Sequence, residues 1–347
     1  MGANLVPLVR RFTIQTRTVG ANDCAVVEGC TVVGTRKLLR FDFLCWNAGN
    51  ADVRMGSPAQ RPELYEFSPC HQHYHLRDFN GFKLYDCKGR DWKGMKQAFC
   101  LVDLEKITPG SGPAQFNSCN SNQGITAGWA DVYARQLDCQ WVDITGVPDG
   151  DYVLEARTNR NGVVKEDWYG DNFTWTGVRI KGSTVTEIPP PCYPEDCLGF
   201  NPKTVQAKKI SGRWKVVDGD HWLLDFGTSQ ANAKKARDVI KFYGVNRICF
   251  VGRPSPTGKQ LMMYFKIGTA APSGHFAGED CIPFNPTTLQ AQQVGGRWKV
   301  TDGGSWLLDF GVSRANAEKA VWLIRKYGFQ YQCFVGRPNA PMMYFRK

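Results

Sequence analysis

Histidine is scarce in this chain, with five in 347 residues. No apolar run approaches the roughly 20 residues that a membrane-spanning helix needs, so no membrane span is expected. The opening segment MGANLVPLVRRF has no signal-peptide apolar core, so any export signal is expected to have been removed from the chain. Net charge is also missing from the first part: residues 1–190 hold 21 Lys and Arg against 21 Asp and Glu. The formal +11 lies in the remainder, where 22 basic residues face 11 acidic ones. An anionic surface is therefore expected to meet the C-terminal part. Wholesale disorder is excluded by the 42% apolar content.

Cysteine, in contrast, is abundant at 13. An internal duplication organises part of this set. Cys197-Leu-Gly-Phe-Asn-Pro202 returns as Cys281-Ile-Pro-Phe-Asn-Pro286, GRWKVVDGDHWLLDFG (212–227) as GRWKVTDGGSWLLDFG (296–311), and CFVGRP recurs at 249–254 and 333–338. The offset is 84 residues throughout, and each copy separates its two cysteines by 52. Cys197–Cys249 and Cys281–Cys333 are the natural bridges, which points to an oxidising compartment. An odd cysteine count leaves at least one unpaired within the chain.

In each copy WKVVDGDHWLLDFG reads as two strands around an Asp-Gly turn. Ala236, Val239, Ile240 and Tyr243 fall at helical spacing, and Gly244 is a stop. RICFVG and LMMYFKI read as two more strands. Each copy is thus a small α+β module, 197–267 and 281–347, with linkers at 182–196 and 268–280. Residues 1–181 show no long amphipathic helix. Segments such as RKLLRFDFLCW, GFKLYDC and DYVLEART, separated by turn residues, predict an all-β antiparallel sandwich with long disulfide-pinned loops.

Three of the five histidines fall in Cys70-His71-Gln72-His73-Tyr74-His75. In an extended stretch, positions 71, 73 and 75 share one face and can lean onto one metal. Neutral imidazole suits copper, zinc, nickel or iron, and the hexapeptide alone does not decide among them.

The wider sequence adds three ordered blocks that resemble the lysyl oxidase family over about residues 20–180. Cys70 to His75 looks like its copper loop, Gly94-Met95-Lys96-Gln97-Ala98-Phe99-Cys100-Leu101 like its cofactor-lysine segment, and 124–152 like its cofactor-tyrosine segment, with Tyr133 six residues before Cys139. The resemblance implies copper on His71, His73 and His75, and a lysine tyrosylquinone formed from Lys96 and Tyr133, with an uncharged Lys96 amine adding to the oxidised ring. It implies oxidative deamination of primary amines, such as lysyl ε-amines of proteins, by O2, giving aldehyde, ammonia and hydrogen peroxide. By the same analogy Cys24 pairs with Cys70, Cys30 with Cys139 and Cys100 with Cys119. Of the remaining three, Cys45–Cys87 is the expected pair, leaving Cys192. Calcium is implied at Glu166, Asp171 and Asn172, although Trp168 replaces an expected acid there. The chain also departs from animal members at Trp129, where they carry a cysteine, and at Gly81, where they carry a histidine that could serve as base. The base is therefore unassigned, with Asp138 and Asp143 near Tyr133 in sequence. The absence of animal-type accessory domains suggests a microbial-type, secreted member.

The repeat modules offer no shared metal motif or nucleophile. Trp214/Trp298 and Trp222/Trp306 could stack on sugars, but core packing is their expected role. The excess Lys and Arg would suit an acidic polymer such as glycan, cell wall or matrix, while disulfides and secretion argue against nucleic acid. The rival to an oxidase is a non-catalytic, secreted copper-binding adhesion protein.

Overall fold

The alternating apolar segments of the first half form two antiparallel five-stranded sheets. In the computed structural model, which describes residues 2–95, 98–253 and 261–347, one sheet is built on the long strands Leu5–Val19 and Gly34–Asn47, with Trp129–Tyr133, Glu105–Lys106 and Trp141–Asp143 added. The other runs in the order Thr184–Ile188, Phe173–Lys181, Gly150–Arg157, Gly81–Tyr85, Asp91–Lys93. Period-two alternation sends Leu39, Phe41, Phe43 and Cys45 into the core, where they share one cluster with Phe82, Leu84, Leu154, Ala156, Val178 and Ile180 from the second sheet. Phe82 meets Phe41 and Phe43 edge-on at 4.9 and 5.1 Å between ring centres. Each such fully buried ring contributes about 1.5–3 kcal/mol. The expected all-β sandwich is the observed one. The one α-helix among the described residues of this unit is the short turn Cys24–Val27, capped by Asp23, whose side chain accepts from the Ala25 N–H.

Five of the expected bridges are present: Cys24–Cys70, Cys30–Cys139, Cys100–Cys119, Cys197–Cys249 and Cys281–Cys333. The Cys45–Cys87 expectation is corrected, because Cys87 pairs with Cys192 and Cys45 is free. The physical reason is strand parity. Cys45 points into the sandwich in step with Phe41 and Phe43, fully buried, with its thiol 3.0 Å from Thr158 Oγ1. Cys87 sits in an exposed turn that a core-facing thiol cannot reach.

A second compact unit spans Pro194–Lys347. Each copy of the duplication folds as a three-stranded meander, a 14-residue helix and a hairpin, with a cysteine-bearing strand, Asp196–Gly199 or Asp280–Pro283, completing a second three-stranded sheet on that hairpin. The first comprises Gln206–Ile210, Arg213–Asp218, His221–Asp225, helix Gln230–Tyr243, Arg247–Val251 and Met262–Lys266. The second comprises Gln290–Val294, Arg297–Asp302, Ser305–Asp309, helix Arg314–Tyr327, Tyr331–Val335 and Met342–Arg346. Both helices start under a serine cap, Ser229 or Ser313, and stop at a left-handed glycine, Gly244 or Gly328, with φ of 62° and 64°.

The copies share their cores. Ile248, Phe250, Met263 and Phe265 of the first hairpin pack with their own meander and helix, and with Cys333, Val335, Met342 and Tyr344 of the second copy. The hairpin's opposite face, Cys249, Val251, Met262 and Tyr264, packs into the second copy's cluster. Glu195 likewise accepts from Tyr264 and Lys266 of the first copy and from Lys326 and Tyr327 of the second. Core packing holds for Trp214 and Trp298, which lie against these clusters. It is corrected for Trp222 and Trp306, which are 61% and 58% exposed. Both tryptophans pair just beyond a register shift in their meanders, the kind of irregularity that re-aims side chains.

Candidate active site

His73 and His75 lie on the strand His73–Arg77 and share a face, as alternation requires. His71 arrives differently. It precedes the strand in a turn whose Gln72 takes a φ of 57°, and its backbone N–H donates to Ser68 Oγ at 3.1 Å. The Cys24–Cys70 bridge anchors that turn to the short helix Cys24–Val27. The outcome is convergence: one ring nitrogen from each histidine lies within 4.8 Å of the others. His73 Nε2 and His75 Nε2 are 2.8 Å apart, an approach that a proton or a metal can bridge. His75 is buried, while His71 and His73 are half-buried, so the cluster keeps a side open to solvent. Three neutral nitrogen donors of this kind suit a copper ion. The other His/Cys/Asp/Glu clusters among the described residues each contain a disulfide, whose sulfurs are not thiolate ligands.

Glu28, which caps the C-terminal end of the short helix, brings a carboxylate oxygen to 3.4 Å from His71 Nε2 and accepts from Ser68 Oγ. No sequence signal pointed to it, because only the Cys24–Cys70 bridge carries position 28 to the histidines.

The histidine strand pairs with Ala98–Phe99, Leu76 opposite Phe99. The Phe99 ring meets Tyr133 edge-on at 4.8 Å. Tyr133 is 8% exposed, and its hydroxyl donates to the Cys100 carbonyl on the same segment. Burial, then the charge of Asp131, pushes the Tyr133 phenol far above its ordinary value. Asp131, two residues back on the same strand and 1% exposed, also hydrogen-bonds Tyr133. The i, i+2 spacing on one strand is the local signal for this partner, which the sequence expectation places instead at Asp138 or Asp143. Those two belong elsewhere: Asp138 pairs with Arg17 at 2.7 Å, and Asp143 with Arg36, Thr31 and Thr145. Lys96 lies outside the described residues. At Gly81, a Cβ would sit 2.7 Å from Arg160 Nη1, so an arginine fills the space a side chain there would need. Trp129 donates its indole N–H to the Gly112 carbonyl at 2.9 Å.

Glu166, Asp171 and Asn172 are buried together. Glu166 accepts from the Leu5 N–H and from the Asn159 and Asn172 amides, while Asn4 donates to Asp171 at 3.0 Å. Desolvation raises Glu166 to about 7 and pushes Asp171 well above its ordinary range. Three buried oxygens here, Asn4 Oδ1, Asp171 Oδ1 and Asn172 Oδ1, have no hydrogen-bond partner among the described residues. Asn4 was not foreseen. Trp168, where an acid was expected, is buried.

Comparison with known proteins comes to the same place. The family described as lysyl oxidase matches residues 16–188. Lysyl oxidase homolog 2 of Gallus gallus is 33% identical over 215 residues, covering 58% of this chain and 26% of the relative. The Homo sapiens homolog 2 is 33% identical over 184 residues (50% and 23%), and homolog 3B of Danio rerio 34% over 193 residues (52% and 23%). The chain thus spans about a quarter of the length of these relatives. Through the sandwich that carries the three histidines and Tyr133, this chain belongs to the lysyl oxidase family.

Proposed function

We propose that the protein is a secreted, copper-dependent amine oxidase. It would convert primary amines, with lysyl ε-amines of peptides and proteins as the substrate class, to aldehydes with release of ammonia and hydrogen peroxide. The observation that carries this reading is the convergence of His71 with His73 and His75, the latter two on a strand bonded to the segment that also receives the Tyr133 hydroxyl.

His71, His73 and His75 would hold copper, which would supply redox chemistry with O2, and Lys96 and Tyr133 would provide the lysine tyrosylquinone, which would supply an electrophilic carbonyl. The remaining roles belong to the chain's own groups. Cys100 O fixes the Tyr133 hydroxyl, and Phe43 and Phe99 hold its ring and keep water out. Asp131, hydrogen-bonded to Tyr133, positions the phenol and, with burial, keeps its proton on the oxygen. Glu28 orients His71, as the outer carboxylate of a metal-bound imidazole does.

Calcium at Glu166, Asp171 and Asn172, joined by Asn4, is supported by the three unpartnered buried oxygens, hard donors of the type this ion takes. The six disulfides support an extracellular setting, and no helix among the described residues is long and apolar enough to cross a membrane. The basic unit Pro194–Lys347 would attach the enzyme to an acidic polymer such as a glycan, cell wall or matrix.

The test is maturation with copper in air. A visible quinone absorbance, reaction with phenylhydrazine, and peroxide release from an alkylamine are expected. Tyr133→Phe and Lys96→Ala should each abolish all three while copper binding and the disulfide-linked fold persist. A colourless wild type that binds copper but carries no reactive carbonyl would hand the protein to the rival reading, copper-binding adhesion.

A further inference from the structure

The two copies of the duplication have drifted apart on their surfaces. Exposed Lys203, Lys208, Lys209 and His221 have become exposed Thr287, Gln292, Gln293 and Ser305. Amid that drift one costly feature persists, a tryptophan more than half open to water in each copy. Apolar surface of this kind marks recognition when it is kept without packing to justify it.

The surroundings persist too, to within tenths of an ångström. Lys215 Nζ lies 5.0 Å from the Trp222 ring centre, and Lys299 Nζ 4.7 Å from that of Trp306. Each lysine is 3.9 Å from an aspartate, Asp225 or Asp309, which in turn holds an arginine, Arg213 or Arg297, at 2.8 and 2.9 Å. Both lysine side chains are mostly covered, 18% and 17% exposed, so their ammonium groups are held in place rather than free to sweep through solvent. In both copies a glutamine, Gln206 or Gln290, ends the cross-strand row that begins at the tryptophan.

An open indole takes the C–H face of a pyranose ring, and fixed cations and planar polar groups beside it take the ring's charged and hydroxyl substituents. We propose that Trp222 and Trp306 are two equivalent docking platforms for the uronate residues of an acidic polysaccharide, the sugar ring on the indole and its carboxylate on Lys215 or Lys299. This rests on the acidic-polymer reading above and sharpens it. Charge complementarity selects the occupant, since Pro194–Lys347 carries 22 basic against 11 acidic residues. The first platform is the more cationic, because Lys208 stands opposite Lys215 where the second copy has Gln292 opposite Lys299.

The experiment titrates the full chain with long oligogalacturonate, reading tryptophan fluorescence and calorimetric heat, with the fully methyl-esterified oligomer as the uncharged comparator. Binding should weaken steeply with salt, and the ester should bind about tenfold less tightly or worse. Trp222→Ala or Trp306→Ala should each cost on the order of tenfold through lost bivalency, Trp222→Ala the more, and the double variant on the order of a hundredfold. Far-UV circular dichroism and peroxide release from a small alkylamine should not change. If the double variant binds like wild type, the platforms are wrong and diffuse basic charge holds the polymer, so the broader reading survives. If the wild type ignores every polyuronate at low salt, both fall.

Discussion

In the sandwich, the buried carboxylates Glu166 and Asp171 have amide donors and no cation among the described residues. In the duplicated unit, two half-buried glutamates each have several partners. Glu195 takes Lys266, Lys326, Tyr264 and Tyr327, and Glu279 takes Arg346, Tyr344 and Tyr243. Those partners come from both copies. At this site the sandwich thus leaves carboxyl groups without a cation, and bare oxygens, where an ion supplied from outside would fit. In the second unit each of these glutamates has its own cation, and its set of donors is complete only with both copies present.

The sharpest way to break this contrast is to divide the second unit. A fragment ending at Gly268 strips the cover from Cys249, Val251, Met262 and Tyr264, all at most 2% exposed in the whole chain, and takes Tyr327 and Lys326 from Glu195. Uncovering four buried side chains, at about 1.5–3 kcal/mol each, is comparable with the usual stability of a whole domain. The isolated copy should show no cooperative urea transition, whereas Pro194–Lys347 should show one. A single copy that melts cooperatively would mean that the shared core is incidental.

Next in size is an opposite response to pH. Glu166 titrates in the folded state near 7, raised by burial from an unfolded value near 4.5. Its contribution to stability is therefore complete below about 4.5 and is lost as pH rises through about 7, and Asp171 runs in the same direction. Glu195 goes the other way. Burial would raise it, but hydrogen bonds from Lys266, Lys326, Tyr264 and Tyr327 outweigh that and hold it near 2, so its contribution is present above about 4.5 and lost as pH falls toward 2. Calorimetry in a chelator should find the sandwich transition falling between pH 5 and 8, and the duplicated unit's transition falling below pH 4. Calcium should restore the sandwich at pH 8, and Glu166→Gln should flatten both its pH slope and its calcium response. A calcium-insensitive sandwich would remove the ion from the site.

The contrast also explains what was legible in the residues. Period-two apolar alternation announced the sandwich, and helical spacing closed by Gly244 and Gly328 announced the two helices, because these signals are local. The 84-residue offset named two bridges outright. For Cys45 the local signal is its parity with Phe41 and Phe43, which turns it inward and away from Cys87. Glu28 and Asn4 reach their sites through long-range pairing, a bridge spanning 46 residues in one case and a contact spanning 167 in the other, and no local pattern encodes such a meeting. Trp222 and Trp306 misled for a subtler reason. Their composition is that of a core, and only the register shift beside them turns them out.

The smallest expected effect tests whether the two copies, alike in sequence, are alike in energy. Ser229 Oγ accepts from the Asn232 N–H and Ser313 Oγ from the Asn316 N–H, each at 3.3 Å. Removing an N-cap hydroxyl costs about 1 kcal/mol. Ser313 is 2% exposed and Asn316 fully buried, whereas Ser229 and Asn232 are half-buried, so water can replace the lost acceptor in the first copy and not in the second. Ser313→Ala should therefore lower the urea midpoint of the duplicated unit more than Ser229→Ala, with no change in slope for either variant. Because each cluster is built from both copies, the two substitutions should act on one and the same transition. Two separate transitions, each shifted by its own serine, would mean that the copies fold independently and that their shared glutamate contacts form afterwards.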